Sequence, residues 1–160
     1  MASVSVYNVL QSSSTIDSDY ARFLQKESVR LAIHVGSEQY STQSDTVYSY
    51  LLKDIMKSVR PWVEELLDSG YRVVFFNGQL DVICGYALTV KMVEALQFNS
   101  AEEYKAASRR IWNVNGEVAG YTKTAGNMTE VLVRKAGHMV PSDQPVAAFD
   151  LIYRITRNHL

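Results

Sequence analysis

Along this 160-residue chain, short unbroken apolar runs alternate with stretches in which apolar residues recur every three or four positions. The first pattern is that of a strand buried on both faces, the second that of a helix with one buried stripe. Residues 1–16 are polar and Ser-rich and read as a flexible segment. From Asp17 the pattern turns helical, with Tyr20, Phe23 and Leu24 on one face. A second apolar stretch, Val29 to Val35, closes at Gly36 as a C-cap, and a polar loop over 37–45 follows. Val47 to Val59 reads as an amphipathic helix with Tyr48, Leu51, Leu52, Ile55 and Val59 inward. Pro61 opens another helix that runs to Asp68 and stops at Gly70.

The second half carries the strands. Arg72 to Phe76 (RVVFF) is one, with Asn77-Gly78 as a turn and Asp81 just beyond it. A helix over Tyr86 to Leu96 follows, then Ser100 and Glu103 spaced as a capping box for a charged helix ending near Arg110. Trp112, Val118, Ala119 and Tyr121 indicate a strand, and Ala125-Gly126-Asn127 a turn into the buried strand Val131 to Arg134. Ala136-Gly137 then turns sharply and delivers His138 at the strand's end. Pro141 and Pro145 flank Ser142 and Asp143, and Val146, Phe149, Ile152 and Ile155 recur at helical spacing toward Arg157. The expected class is α/β, a half-sheet with flanking helices. Three short strands are few for so many helices, which implies that partner strands are missing. No repeat or linker marks a boundary within 17–160.

Composition adds exclusions. Hydrophobic residues make up 47% and the net charge is −1, ordinary for one domain with a core. No basic patch interleaves with aromatics, so nucleic acid is not an expected partner. The apolar runs are only a few residues long, too short for a membrane span. The opening MASVSVYNVLQSSS lacks the basic region and apolar core of a signal peptide. A single cysteine, Cys84, rules out an internal disulfide. Asn127-Met128-Thr129 is an acceptor triplet for N-glycosylation.

Two strand ends carry the candidate chemistry, because open α/β sheets place their sites there. A loop histidine by itself is usually structural, and an aspartate before a helix usually caps it. Asp81 and His138 gain meaning as a pair: both follow a strand and both lie in Gly-containing turns. A carboxylate that orients an imidazole is half of a nucleophilic triad. In α/β-hydrolases the order is Ser, acid, His, with the serine on a G-x-S-x-G elbow. This chain has no such elbow; Ser37, in Val35-Gly36-Ser37-Glu38-Gln39, lacks the second glycine. Cys84, between apolar neighbours, reads as a small buried side chain rather than as a nucleophile. His34, His138 and His159 are scattered, with no metal-ligand spacing, so neither a metal nor another cofactor is expected. His34 reads as a helix-end residue and His159 as a frayed tail.

Three groups of residues resemble the C-terminal portion of serine carboxypeptidases, most of all the vitellogenic-like branch. They are Asn77-Gly78-Gln79-Leu80-Asp81-Val82-Ile83-Cys84, Trp112 with Val118-Ala119-Gly120-Tyr121, and Ala136-Gly137-His138-Met139-Val140-Pro141 with Asp143-Gln144-Pro145. Phe23-Leu24, Val29-Arg30, Ala32 to Gly36 and Val59-Arg60-Pro61-Trp62 are similar to that family's segments upstream. The likeness runs from about residue 20 to 157. It implies the C-terminal half of an α/β-hydrolase fold and removal of single residues from peptide C-termini through an acyl-enzyme. Asp81 and His138 match the triad acid and base, and Cys84 and Met139 match positions that line substrate subsites. The family setting, lysosomal, vacuolar or secreted, makes Asn127 an expected glycan site. The nucleophile elbow, oxyanion loop and carboxylate clamp of the family are absent, so the chain alone is expected to be inactive. Expected partners are peptide substrates and the missing N-terminal half. The competing reading is a truncated, non-catalytic paralogue that binds peptides or a partner chain.

Overall fold

The computed structural model describes residues 5–12 and 19–157. They form two compact units, one of 19–58 and one of 5–12 with 59–157. No linker composition announces that division in the sequence.

The smaller unit holds α1 (Asp19–Leu24), α2 (Glu27–Ala32) and α3 (Asp45–Ile55). α2 stops earlier than Gly36. His34 adopts φ 61°, its N–H bonds to Leu31 O and that of Val35 to Arg30 O, so a histidine takes the left-handed C′ place usually given to glycine. Ser44 caps α3 by accepting from Val47 N–H at 3.3 Å. The stripe expected to point inward (Tyr48, Leu51, Leu52, Ile55) is exposed because no other element of this unit covers it; Val59, expected inward with it, falls in the larger unit and is exposed too.

The larger unit begins with α4 (Arg60–Asp68), Pro61 in its first turn, and stops at Gly70. There φ is +85° and the Tyr71 and Gly70 amides bond back to Leu66 O and Leu67 O. β1 (Val73–Gly78), α5 (Tyr86–Glu94), α6 (Ala101–Ala106), β2 (Arg110–Val114), β3 (Glu117–Ala125), β4 (Met128–Val133), α7 (Val140–Asp143) and α8 (Pro145–Thr156) follow. The sheet is mixed, in the order β1-β4-β3-β2, with β1 parallel to β4 and the other pairs antiparallel. The charged helix expected to reach Arg110 ends at Ala106, and β2, which carries the strand residue Trp112, turns into β3 through Asn115 (φ 53°) and Gly116 (φ 83°), the two positive φ values of a tight hairpin turn. The capping box does not form: Ser100 makes no side-chain cap to α6.

β4 is buried at every position because both faces of the sheet are covered. On one face Trp112, Val131, Val133, Ala136, Val140, Ala147 and Leu151 pack together under α7 and α8. On the other, Leu67, Val93, Leu96, Tyr104, Ala125 and Met128 pack under α4, α5 and α6. α8 therefore buries Ala147 and Leu151, while Val146, Phe149 and Ile152 of its apolar spacing face outward. Asp150 anchors the helix by accepting from Trp112 Nε1 at 2.7 Å and Arg154 Nε at 2.6 Å. On the face under α4 to α6 a carboxylate lies inside: Glu130, 3% exposed, accepts from the hydroxyls of Tyr86 and Tyr104, and Arg109 donates to Tyr86. Two phenol donors satisfy the carboxylate, which is the condition for burying one.

Candidate active site

The parallel pair β1 and β4 ends on the same side of the sheet, and the loops that leave it cross. Asn77-Gly78 is not a turn; both residues continue β1 opposite Leu132 and Val133. Beyond them Gln79 N–H bonds to Val133 O at 2.9 Å and Leu80 N–H to Ala136 O at 2.8 Å. Gly78 is required by this crossing, since a Cβ there would overlap the backbone oxygens of Ala136 and Gly137. The turn after β4 pivots on Lys135, at φ 60°, rather than on Ala136-Gly137. Gly137 is needed for closeness: a Cβ there would run into Tyr7 O and Asn8.

The crossing places the two candidate groups together. Asp81 Oδ2 lies 2.9 Å from His138 Nδ1. The Asp81 side chain is 4% exposed and that of His138 34%, so the acid is enclosed and the base reaches solvent. Asp81 Oδ1 accepts from Cys84 N–H at 3.0 Å, and Asn77 Nδ2 donates to Cys84 O at 2.9 Å, which closes the loop around the carboxylate. An acceptor-only carboxylate at Nδ1 selects the tautomer with its proton on Nδ1, leaving the Nε2 lone pair free. Among the described residues no hydrogen bond engages Nε2. Tyr7 lays its ring 5.3 Å from the imidazole, centroid to centroid.

Cys84 is exposed, not buried as its apolar neighbours implied, because the bonds that hold its backbone turn the loop outward. One donor atom each of Asp81, Cys84 and His138 lies within 4.8 Å of the others, though no ligand spacing in the sequence foretold it. Met139 is likewise exposed, beside His138. Asn127 sits at the opposite end of β4, half-buried, its carbonyl accepting from Val73 N–H at 2.9 Å. His159 lies outside the described residues.

Part of the site escaped sequence reasoning. Residues 5–12, read as part of a flexible segment, are packed against both loops: Asn8 is buried and Tyr7 O accepts from His138 N–H at 2.7 Å. Asp143, read as part of a helix start, accepts instead from Gly137 N–H at 2.7 Å and from Asn8 Nδ2 at 2.9 Å. The one available signal was Val4 to Leu10, where five of seven residues are apolar or aromatic inside a polar stretch.

Residues 2–158 match the family model described as serine carboxypeptidase. The chain is 48% identical over 143 residues to the venom serine carboxypeptidase of Apis mellifera, covering 89% of this chain and 30% of that protein. It is 47% identical over 161 residues to the vitellogenic carboxypeptidase of Aedes aegypti, covering 98% and 34%. To the probable serine carboxypeptidase CPVL of Homo sapiens it is 39% identical over 152 residues, covering 92% and 32%. It thus spans about a third of the length of these curated relatives. A prohormone-processing carboxypeptidase from Saccharomyces cerevisiae, of known crystal structure, superposes with a TM-score of 0.76 at 24% identity over 96% of this chain and 36% of that one, which shows a shared fold.

Proposed function

The chain belongs to the serine carboxypeptidase family, and from that premise we propose that it supplies the acid and base of a serine carboxypeptidase whose nucleophile lies outside these residues. The observation that carries this reading is the Asp81–His138 contact of 2.9 Å with Nε2 unengaged. In that geometry Nε2 takes the proton of an incoming serine hydroxyl as the oxygen attacks the carbonyl of the substrate's last peptide bond. The imidazolium, stabilised by enclosed Asp81, returns the proton to the leaving amine. An acyl-enzyme remains, and water activated by the same nitrogen hydrolyses it. Exposed Cys84 and Met139 flank the pair and are proposed to line the substrate's subsites.

The chain alone holds neither a G-x-S-x-G serine nor, in this reading, an oxyanion hole, so it is proposed to be inactive until joined to an N-terminal half. Two features support the need for that partner over a free-standing binding protein. Among the described residues β1 pairs only with β4, leaving one edge open, and α8 presents Val146, Phe149 and Ile152 outward. Lysosomal or secreted location and a glycan on Asn127 are part of the same proposal. A fluorophosphonate serine-hydrolase probe on the source tissue tests it. Peptides such as AGHMVPSDQPVAAFDLIYR should map to a labelled species larger than 18.0 kDa, or to a small chain held by one. Their occurrence solely in an unlabelled 18.0 kDa chain would favour the truncated, non-hydrolytic paralogue.

A further inference from the structure

The acid and the base ride on different loops, and their direct cross-links end at Leu80 and Ala136, before either functional residue. What spans the remaining gap is the segment 5–12. Val6 O accepts from Val82 N–H at 3.1 Å and from Ile83 N–H at 3.2 Å, immediately after the acid. The next carbonyl, Tyr7 O, accepts from the N–H of His138 itself at 2.7 Å. Two consecutive carbonyls thus hold the two loops at a separation set by one residue of backbone. Val9 N–H adds a bond to Leu80 O at 3.1 Å.

The segment's own register is fixed by a side-chain lock. Asn8, 5% exposed, accepts from Leu10 N–H at 3.1 Å through Oδ1, a local turn that orients its amide. Its Nδ2 donates to Asp143 Oδ2 at 2.9 Å, and the same oxygen accepts from Gly137 N–H at 2.7 Å. Gln11 Nε2 reaches Asp143 Oδ1 at 3.4 Å. One carboxylate therefore ties the residue before the base to the segment that sets its distance from the acid, through charge-assisted bonds. Gly137 has no side chain where Tyr7 O and Asn8 pass, so the fit is steric as well as polar.

We propose that residues 5–12 are a strap that sets the Asp81–His138 geometry, with Asn8 and Asp143 as positioning residues that lock it in place. The proposal rests on reading Asp81–His138 as the acid–base pair, and its claim is about their geometry. A displacement of about 1 Å in such a pair costs on the order of 10²-fold in rate, so a device of this kind has a function to serve.

The test is the imidazole Nδ1 proton of His138, observed by NMR in the full chain and assigned by its loss in His138→Gln. Asn8→Ala and Asp143→Ala are expected to abolish this resonance while the amide spectrum of the sheet persists. Asp143→Asn, which keeps an acceptor for Gly137 N–H, is expected to retain it. Unchanged resonance in both alanine variants overturns the proposal. If those variants fail to fold, the strap is removed from the chain and returned as a synthetic peptide of residues 5–12. Return of the resonance on adding the peptide supports the strap; its presence without the peptide, or its absence with it, overturns the strap. The readout is independent of hydrolysis, so a failed strap and a failed carboxypeptidase assignment are told apart by the probe labelling above.

Discussion

Replacing Gly78 by alanine is the smallest change that attacks the crossing of the two loops. An ideal Cβ at this position stands 2.5 Å from Ala136 O and 2.7 Å from Ala136 C, and closer still to Gly137 O. Ordinary contact begins at 3.4 Å, so backbone must yield by about 0.9 Å against Ala136 O alone. Neither partner is a flexible side-chain end; both are main chain in a loop pinned by Leu80 N–H at 2.8 Å. Forcing the strands apart weakens that bond and the adjoining Gln79 N–H to Val133 O bond, each worth about 1 kcal/mol net. Overpacking of this kind adds roughly 1–3 kcal/mol. The expected cost is therefore about 3 kcal/mol, or a fall in Tm of roughly 6–12 °C for a chain of this size. Urea unfolding followed by tryptophan fluorescence measures it, with Gly116→Ala, where nothing lies within 4 Å and only positive φ is strained, as the milder control at about 1 kcal/mol. A Gly78→Ala chain no less stable than the control would refute the claim that this glycine exists for close approach. The same variant should weaken the His138 Nδ1 resonance, because Asp81 follows three residues later.

Three other outcomes are expected. Glu130→Ala removes the acceptor of the buried Tyr104 phenol and of the half-buried Tyr86 phenol, and should lower stability by about 2 kcal/mol, read as a drop in urea midpoint at constant slope. Burial and then the Glu130 carboxylate raise the Tyr86 hydroxyl to about 12 and push that of Tyr104 up as well. Protonated phenol is thus favoured by folding: the contribution is complete below pH 10 and lost as pH rises toward about 12, so alkaline titration should unfold the chain in that window, and Tyr86→Phe should shift the midpoint. Cys84 is exposed beside the pair, so in an active full-length enzyme a mercurial should inhibit and Cys84→Ser should confer resistance; equal sensitivity of the variant would reject the assignment.

The α/β class and the two strand-end loops were legible because β4 is buried at every position and β1 is mostly half-buried, so both read as unbroken apolar runs. The pair Asp81–His138 was legible for the same reason, since each follows such a run. Glycines misled more than they guided. Gly78 and Gly137 look like turn residues in sequence, yet both serve close approach of backbone to backbone, a tertiary fact that no local pattern encodes. Trp112 with Val118, Ala119 and Tyr121 read as one strand; the positive φ values of Asn115-Gly116, the sequence's plainest hairpin signal, divide it into β2 and β3. The strap escaped because its stability comes from two loops some 70 and 130 residues away, not from its own composition. α8 shows the limit of spacing alone: apolar residues lie on more than one of its faces, and only the sheet selects Ala147 and Leu151 as the buried ones.

A chimera tests the central claim most directly: this chain fused to the N-terminal two-thirds of the Aedes aegypti vitellogenic carboxypeptidase, which is 47% identical to it over the shared region. Hydrolysis of a blocked dipeptide is measured beside the intact relative and beside this chain alone. The chimera should release the C-terminal amino acid, Asp81→Asn should lower kcat by about 10⁴-fold and His138→Ala by about 10⁶-fold, and the chain alone should do nothing. A folded chimera without turnover beside an active relative, or turnover indifferent to His138→Ala, would contradict the assignment of Asp81 and His138 as acid and base.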